Sequence, residues 1–293
     1  MATVTATIDA ARALTAEINT SRAITATLDT SRAVTGVFDQ PGDIRLALVL
    51  GFDPLQYCRL HDASTTILDS SGNVLNGSIT ATDYTAMVRK RTGPYLGLVP
   101  QFDPLNVSWV DLLSVGLSAA VNMREMSFFV AIKVNDVGIW TDGISRTLMV
   151  LRSVNTQNQV TVQRPTTNNR LSIRRQAGNV LKTHEVTTSS VDWTVIGFDV
   201  SESNGVQQLY VNGVATGANQ IPNAWTGGAL TMARLSPAIT TVWYGGMAEW
   251  ILFDRPIGAY AHNILATTYF TAVTVDPDPG EIDTFTETFE EVF

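Results

Sequence analysis

The strongest conformational instruction in the chain is Asn212-Gly213, set inside Gln208-Leu-Tyr-Val-Asn-Gly-Val-Ala. Asn and Gly both tolerate positive φ. Two such residues in succession form a type I′ turn, whose twist matches that of two paired strands, so a β-hairpin is expected here. Other short apolar runs bounded by turn residues read the same way: Met126 to Lys133, Arg146 to Leu151, Leu171 to Arg174. Thr194-Val-Ile-Gly-Phe-Asp-Val reads as a strand buried on both faces. Only 16% of residues are charged while Thr, Val, Ser and Asn recur, which favours strands over charged amphipathic helices. With 45% hydrophobic residues in 293, the chain can build a sizeable core, and the fold class expected is all-β.

The first 41 residues carry a ten-residue repeat: VTATIDAARA from Val4, LTAEINTSRA from Leu14, ITATLDTSRA from Ile24, then VTGVFDQPGD from Val34. Apolar and polar residues alternate within each copy, as strands require, and an even repeat length keeps one face from copy to copy. That face carries Ile8, Leu14, Ile18, Ile24, Leu28 and Phe38. An amphipathic helix is the alternative, but β-branched residues are frequent and a ten-residue period drifts around a helix. A sheet this small does not support itself, so these six residues are expected to associate with other copies of the chain, most simply as a homotrimer.

Residues 275–293 open with Asp276-Pro-Asp-Pro-Gly and continue with five acidic residues and no basic one. Ile282, Phe285, Phe289 and Phe293 lie three or four apart, the spacing of one face of a short acidic helix. Phe285, Phe289 and Phe293 would then dock onto a neighbouring subunit. A solubilising tail is the other reading.

A net charge of -8 argues against a general grip on nucleic acid. Two basic groups stand out, Arg89-Lys90-Arg91 and the scatter Arg164, Arg170, Arg174, Arg175 and Lys182, and solvated strand faces account for both. Cys58 is alone, which is compatible with a reducing cytoplasm. The chain shows neither a secretory leader nor an apolar run of about 18 residues to cross a bilayer, so no membrane partner is expected. His61, His184 and His262 fall in no zinc pattern, and surface or capping roles suffice. Glu281-Ile-Asp-Thr-Phe-Thr-Glu287 lacks the carboxylate spacing of a glycosidase strand, and no phosphate loop or nucleophile elbow is present; the expectation is a protein that is not an enzyme.

Three pieces of the segment 42–274 resemble the laminin G-like, concanavalin A-like jelly-roll family: Leu68-Asp-Ser-Ser-Gly-Asn-Val-Leu-Asn-Gly, then Trp193-Thr-Val-Ile-Gly-Phe-Asp with Leu209-Tyr-Val-Asn-Gly, then Tyr244-Gly-Gly-Met-Ala-Glu-Trp-Ile-Leu-Phe-Asp-Arg-Pro-Ile. In the first, Asp69 can cap the turn and Gly72 can take a left-handed conformation. The resemblance implies an antiparallel jelly-roll sandwich, a short helix at about Gly258 to Tyr269, and a lectin-like role. Relatives that hold calcium use an acidic residue where this chain has Ala248, leaving Glu249 and Asp69 as the candidate oxygen ligands. Trp140, Trp225, Trp243 and Tyr244 fall in expected loops, where aromatic faces stack on sugars; Trp also serves as core in a sandwich.

A lectin-like domain works outside cells, yet nothing in this chain exports it. A bacteriophage virion resolves the tension, since its proteins fold in the host cytoplasm and are released by lysis. A repetitive β-rich start joined to a globular unit resembles the layout of fibre, spike and head-decoration proteins. The expected role is a virion structural protein, bound to other virion proteins and displaying a domain for decoration or for adhesion to host glycans. A free bacterial carbohydrate-binding module is the alternative.

Overall fold

A computed structural model describes residues 41–60, 66–81, 88–91, 98–102, 108–154, 157–237 and 243–274, together with strands at 3–8, 15–18, 23–28, 32–37 and 285–288. Two antiparallel sheets pack face to face. The first, here the open sheet, runs in the order Val180–Thr187, Arg170–Ala177, Gln159–Arg164, Arg146–Arg152, Met232–Leu235, Ser108–Asp111, Gly77–Ala81, Thr66–Ile67. The second, the covered sheet, runs Val214–Thr216, Val206–Val211, Thr194–Ser201, Glu125–Val134, Gly245–Phe253, Leu98–Phe102, Val88–Arg91, with Gln56–Arg59 also paired to Gly245–Phe253.

Side-chain alternation explains the layers. Phe128, Phe198 and Trp250 point from the covered sheet into the space between the sheets, where they meet Leu151, Ile173 and Leu235 of the open sheet. Their neighbours Phe129, Ile251 and Phe253 point the other way and pack with Leu265 and Tyr269. Glu125–Val134 and Gly245–Phe253 therefore read as nearly continuous apolar runs, because both their faces are buried.

Helix α1 (Pro41–Gly51) and helix α3 (Gly258–Thr274) cover that outer face, while the short α2 (Val115–Ala120) is capped by the Ser114 hydroxyl. The resemblance places a helix from Gly258, and α3 runs on to Thr274. Helix α1 was not among the expected elements, and a long-range contact ties it to the sandwich. Arg45, fully buried, reaches Glu249 of the central strand at 2.8 Å and the Leu265 carbonyl of α3 at 2.6 Å, while the Tyr57 hydroxyl donates to the same Glu249.

The hairpin forms as expected, with Asn212 at φ 51° and Gly213 at φ 81° between Val206–Val211 and Val214–Thr216. A side chain at Gly213 would be strained there, and its Cβ would lie 2.7 Å from the Asn263 backbone of α3. Asp69 also caps its turn: the carboxylate accepts the Ser71 and Leu75 amides at 2.9 and 2.8 Å, and Gly72 sits at φ 91°.

All four repeat copies contain a strand: Thr3–Ile8, Thr15–Ile18, Ala23–Leu28 and Arg32–Val37. The first pairs with the third in parallel, Thr3 opposite Ala23 through Ile8 opposite Leu28, so equivalent repeat positions face each other. The third pairs with the fourth antiparallel. The second pairs antiparallel with Phe285–Thr288, Ile18 opposite Phe285. This corrects the helix expected for the tail: Phe285-Thr-Glu-Thr alternates, and its Thr residues favour an extended chain once a strand edge is present. Leu14, Phe38, Phe289 and Phe293 lie outside the described residues.

Candidate functional site

Among the described residues α1 and α3 lie on the covered sheet, and the outer face of the other sheet carries mostly half-buried and exposed side chains. Period-two alternation sets what it displays. Gln159–Arg164 buries Val160, Val162 and Arg164 and turns Gln159, Thr161 and Gln163 outward. The register then aligns one residue from each of the eight strands: Thr66, Ser78, Asp111, Arg234, Val150, Thr161, Arg174 and Thr183 stand opposite one another in sequence. At about 4.8 Å between strands, the row is roughly 30 Å long. Val150 is buried; the other seven are half-buried or exposed. A second row holds Met232, Arg152, Gln159, Gln176 and Leu181, and Gln163, Ser172 and Glu185 begin a third.

Near the middle of the first row, Trp109 and Asp111 share a face because they are two residues apart on one strand, and Arg234 is directly opposite Asp111. The Arg234 guanidinium lies 5.1 Å from the centre of the Trp109 ring, and its Nε donates to Asp111 Oδ2 at 3.1 Å. Asp111 Oδ1 accepts the Leu113 amide at 3.3 Å. Stacking and ion pair together fix the guanidinium, with Arg234 still 31% exposed, so its remaining N–H groups are presented in a set direction. The Trp109 Nε1 is buried and has no acceptor among the described residues. Chemically the face offers hydroxyls, amides, guanidinium groups and a carboxylate along the sheet, with Val150 buried among them.

The aromatic residues expected to contact a ligand lie elsewhere. Trp140, Trp225 and Trp243 are 2%, 3% and 0% exposed, and Tyr244 is half-buried against the same core. Trp140 donates its indole N–H to the Ser190 carbonyl at 2.9 Å and meets Trp243 edge to face at 6.4 Å. Trp225 lies below the guanidinium of Arg175, 5.7 Å away. So Trp140 and Trp243 come together, Trp225 does not join them, and the core role is the one the structure displays. A recess beside Trp140, lined by Ile132, Val134, Leu171, Thr188 and Ser190, encloses about 10 Å³, space for one water molecule rather than a sugar ring. Trp109, which sequence reasoning passed over, belongs to no motif; its one signal is the alternation in Ser108-Trp-Val-Asp.

The basic scatter divides. Arg164 and Arg175 are buried, whereas Arg170 and Arg174 are half-buried on the open face. His184 and His262 are also buried rather than at the surface or capping a helix, at 4% and 1% exposure. His262 Nε2 and the Ser127 hydroxyl both bond Asp199 Oδ1, and the Ile257 amide donates to Ser127. The carboxylate stands between hydroxyl and imidazole, so the imidazole is not placed as base to the hydroxyl. Burial would raise Asp199, but His262, Ser127 and the Gly258 amide outweigh it and hold the carboxyl below its usual range. The candidate calcium ligands are committed internally, Asp69 to the amides of Tyr57, Ser71 and Leu75 and Glu249 to Arg45 and Tyr57. Among the described residues no three His, Cys, Asp or Glu side chains gather as a metal site.

This architecture is a two-sheet antiparallel β-sandwich. The chain is similar to botulinum neurotoxin type C, whose cell entry depends upon interaction with two ganglioside molecules, at 11% identity and TM-score 0.56 over 78% of this chain and 52% of that one. It is similar to the binding domain of botulinum neurotoxin DC, solved in complex with rat synaptotagmin II, at 12% identity and TM-score 0.55 over 74% of this chain and 52% of that one. The botulinum neurotoxin serotype D binding domain aligns at 14% identity and TM-score 0.53 over 73% and 51%. This chain thus spans about half the length of these solved structures, and at such identity the likeness is one of fold. No family model and no curated protein matches the chain.

Proposed function

We propose that this chain is an adhesion protein whose sandwich binds glycans across the outer face of the open sheet, acting by binding and without catalysis or a metal cofactor. The observation that supports it is the register row from Thr66 to Thr183, with Arg234 fixed between Trp109 and Asp111. Sugars present hydroxyls that donate and accept, alternating with apolar C–H faces. An array of hydroxyl, amide and guanidinium groups beside the half-buried Trp109 ring matches that chemistry, while the one-water recess at Trp140 does not. The ganglioside dependence of the type C neurotoxin is in keeping with this use of the fold.

The domain is displayed at a bacteriophage virion surface, held by the N-terminal repeat in a homotrimer that contacts other virion proteins. The pairing of repeat copies in parallel, position to position, suits a segment that also associates between chains. The second reading, a free bacterial carbohydrate-binding module, is favoured by the bacterial toxin domains among its structural neighbours. A glycan array with wild type and Arg234→Ala tests the binding: array signals lost in the variant are expected, and an array silent for both overturns the reading. Mass spectrometry of purified particles separates virion protein from free lectin.

A further inference from the structure

Arg146 and Arg164 stand directly opposite each other on neighbouring strands, an arrangement in which like charges repel. Their side chains are 8% and 0% exposed. A single carboxylate serves both. Asp142 lies 2.6 Å from Arg146 Nη1 and 3.4 Å from Arg164 Nη1, and the Ile144 carbonyl accepts from that Arg164 nitrogen at 2.6 Å. The Nε of both arginines and Nη2 of Arg164 are buried with no acceptor among the described residues. Two positive charges share one negative where solvent screening is weak. Burial lowers the Arg164 guanidinium below its ordinary range, Asp142 restores part of the loss and Arg146 adds to it. Water can accept these N–H bonds but cannot neutralise the charge; a second carboxylate does both, and the guanidinium fork matches its planar pair of oxygens.

We infer that Arg146 and Arg164 form a receptor for the carboxylate of an acidic sugar, with Asp142 as its internal stand-in. Asp142 sits on a surface loop, 26% exposed and bonded to its own Ile144 amide at 2.9 Å, so it can be displaced without opening the core. Arg164 points away from the open face, on the side of Val160 and Val162, so a sugar carboxylate reaches the pair from the Asp142 loop, by taking that side chain's place. The inference rests on the glycan reading only for the sugar that carries the carboxylate.

The test titrates the full chain with N-acetylneuraminate, glucuronate, glucose and sulfate at constant ionic strength, following the amides of Gly143 and Ile144 and the arginine Nε–H signals by NMR. Saturable shifts with both acid sugars, none with glucose, and at least tenfold weaker affinity in the variant Arg146→Gln are expected. Sulfate matching the acid sugars would make this a general oxyanion site and overturn the carboxylate assignment. In Asp142→Ala, glucuronate should raise the melting temperature more than chloride does. Rescue of Asp142→Ala with no shift in wild type would make Asp142 a permanent partner and overturn the inference. Acid-sugar shifts unchanged in Arg146→Gln would overturn it while leaving the open-face reading intact; acid-sugar shifts beside a silent glycan array would sustain it without that reading.

Discussion

Gly197 and the His262 ring occupy the same small volume: a Cβ on Gly197 would stand 2.3 Å from Nδ1 of His262. The absence of a side chain on this buried strand lets an imidazole from α3 lie against it, held by Asp199 at 2.8 Å and stacked on Tyr210 at 4.1 Å. Both sides of the contact are fixed, so neither can retreat cheaply. Gly197→Ala should lower stability by about 1–3 kcal/mol through overpacking, read as a lower urea midpoint with an unchanged slope.

The Asp199 pairing that seats this ring is nearly solvent-free, with both side chains 1% exposed. Removing the carboxylate leaves Ser127, the Gly258 amide and His262 without their acceptor. Asp199→Ala should cost about 3–5 kcal/mol, the range for breaking a buried pair. Because the folded-state carboxyl is held low, its contribution is fully present above the usual carboxylate pKa of about 3.9 and is lost as pH falls through the lower folded value. Acid unfolding below that point should therefore flatten in the variant.

His184 acts in a different window. Burial pushes its imidazole below the ordinary range, and a backbone bond to Gln207 offsets only part of that. As pH falls below about 6.5, the unfolded chain takes up a proton that the folded chain resists, so stability declines with falling pH until the folded value is reached. His184→Gln should show a smaller loss of stability between pH 7.5 and 5.5 than wild type. Equal losses in chemical denaturation would mean that another group sets this slope.

Trp140 and Arg234 offer the sharpest contrast between core and surface. Trp140→Ala should destabilise the fold by about 3–5 kcal/mol, because it empties a core position and removes the partner of Trp243. Its effect on binding should follow unfolding and nothing else. Arg234→Ala removes an exposed guanidinium and should leave the melting temperature within a few degrees, while weakening glycan binding by about ten- to a hundredfold, the equivalent of one charge-assisted bond. Calorimetry and a glycan titration on the same two variants check both halves.

The features legible in the sequence were those fixed by neighbours in the chain. Asn212-Gly213 and the Asp69 turn carry their geometry in residues at most six apart, and both formed as expected. Helix α1 depends on Arg45 reaching Glu249 across 204 positions, and no local pattern announces that. The site was harder still. A tryptophan's identity does not say whether its ring is core or surface; only the sheet register separates Trp109, beside Arg234, from Trp140, beneath Ser190. The tail shows the same ambiguity, since phenylalanines three and four apart suit a helix until a strand edge is available to Phe285.

That edge leads to the last prediction. Thr15–Ile18 leaves its sister copies to pair with Phe285–Thr288, while Thr3–Ile8 and Ala23–Leu28 align in parallel at an offset of two repeats. Sheets of two and three short strands are marginal alone, and burial of each large aliphatic side chain contributes on the order of 1.5–3 kcal/mol. Association of several chains through Ile8, Ile18, Ile24 and Leu28 would supply that burial, so charge at two of these positions should abolish it. Ile18→Asp with Leu28→Asp is expected to convert trimers to monomers in light scattering while the sandwich keeps its melting temperature, because its core lies in other strands. Deleting residues 275–293 removes the partner of Thr15–Ile18 and should weaken assembly in the same direction. A wild-type chain that is monomeric at every concentration tested would refute association through the repeat and leave the sandwich as a single-copy binding domain.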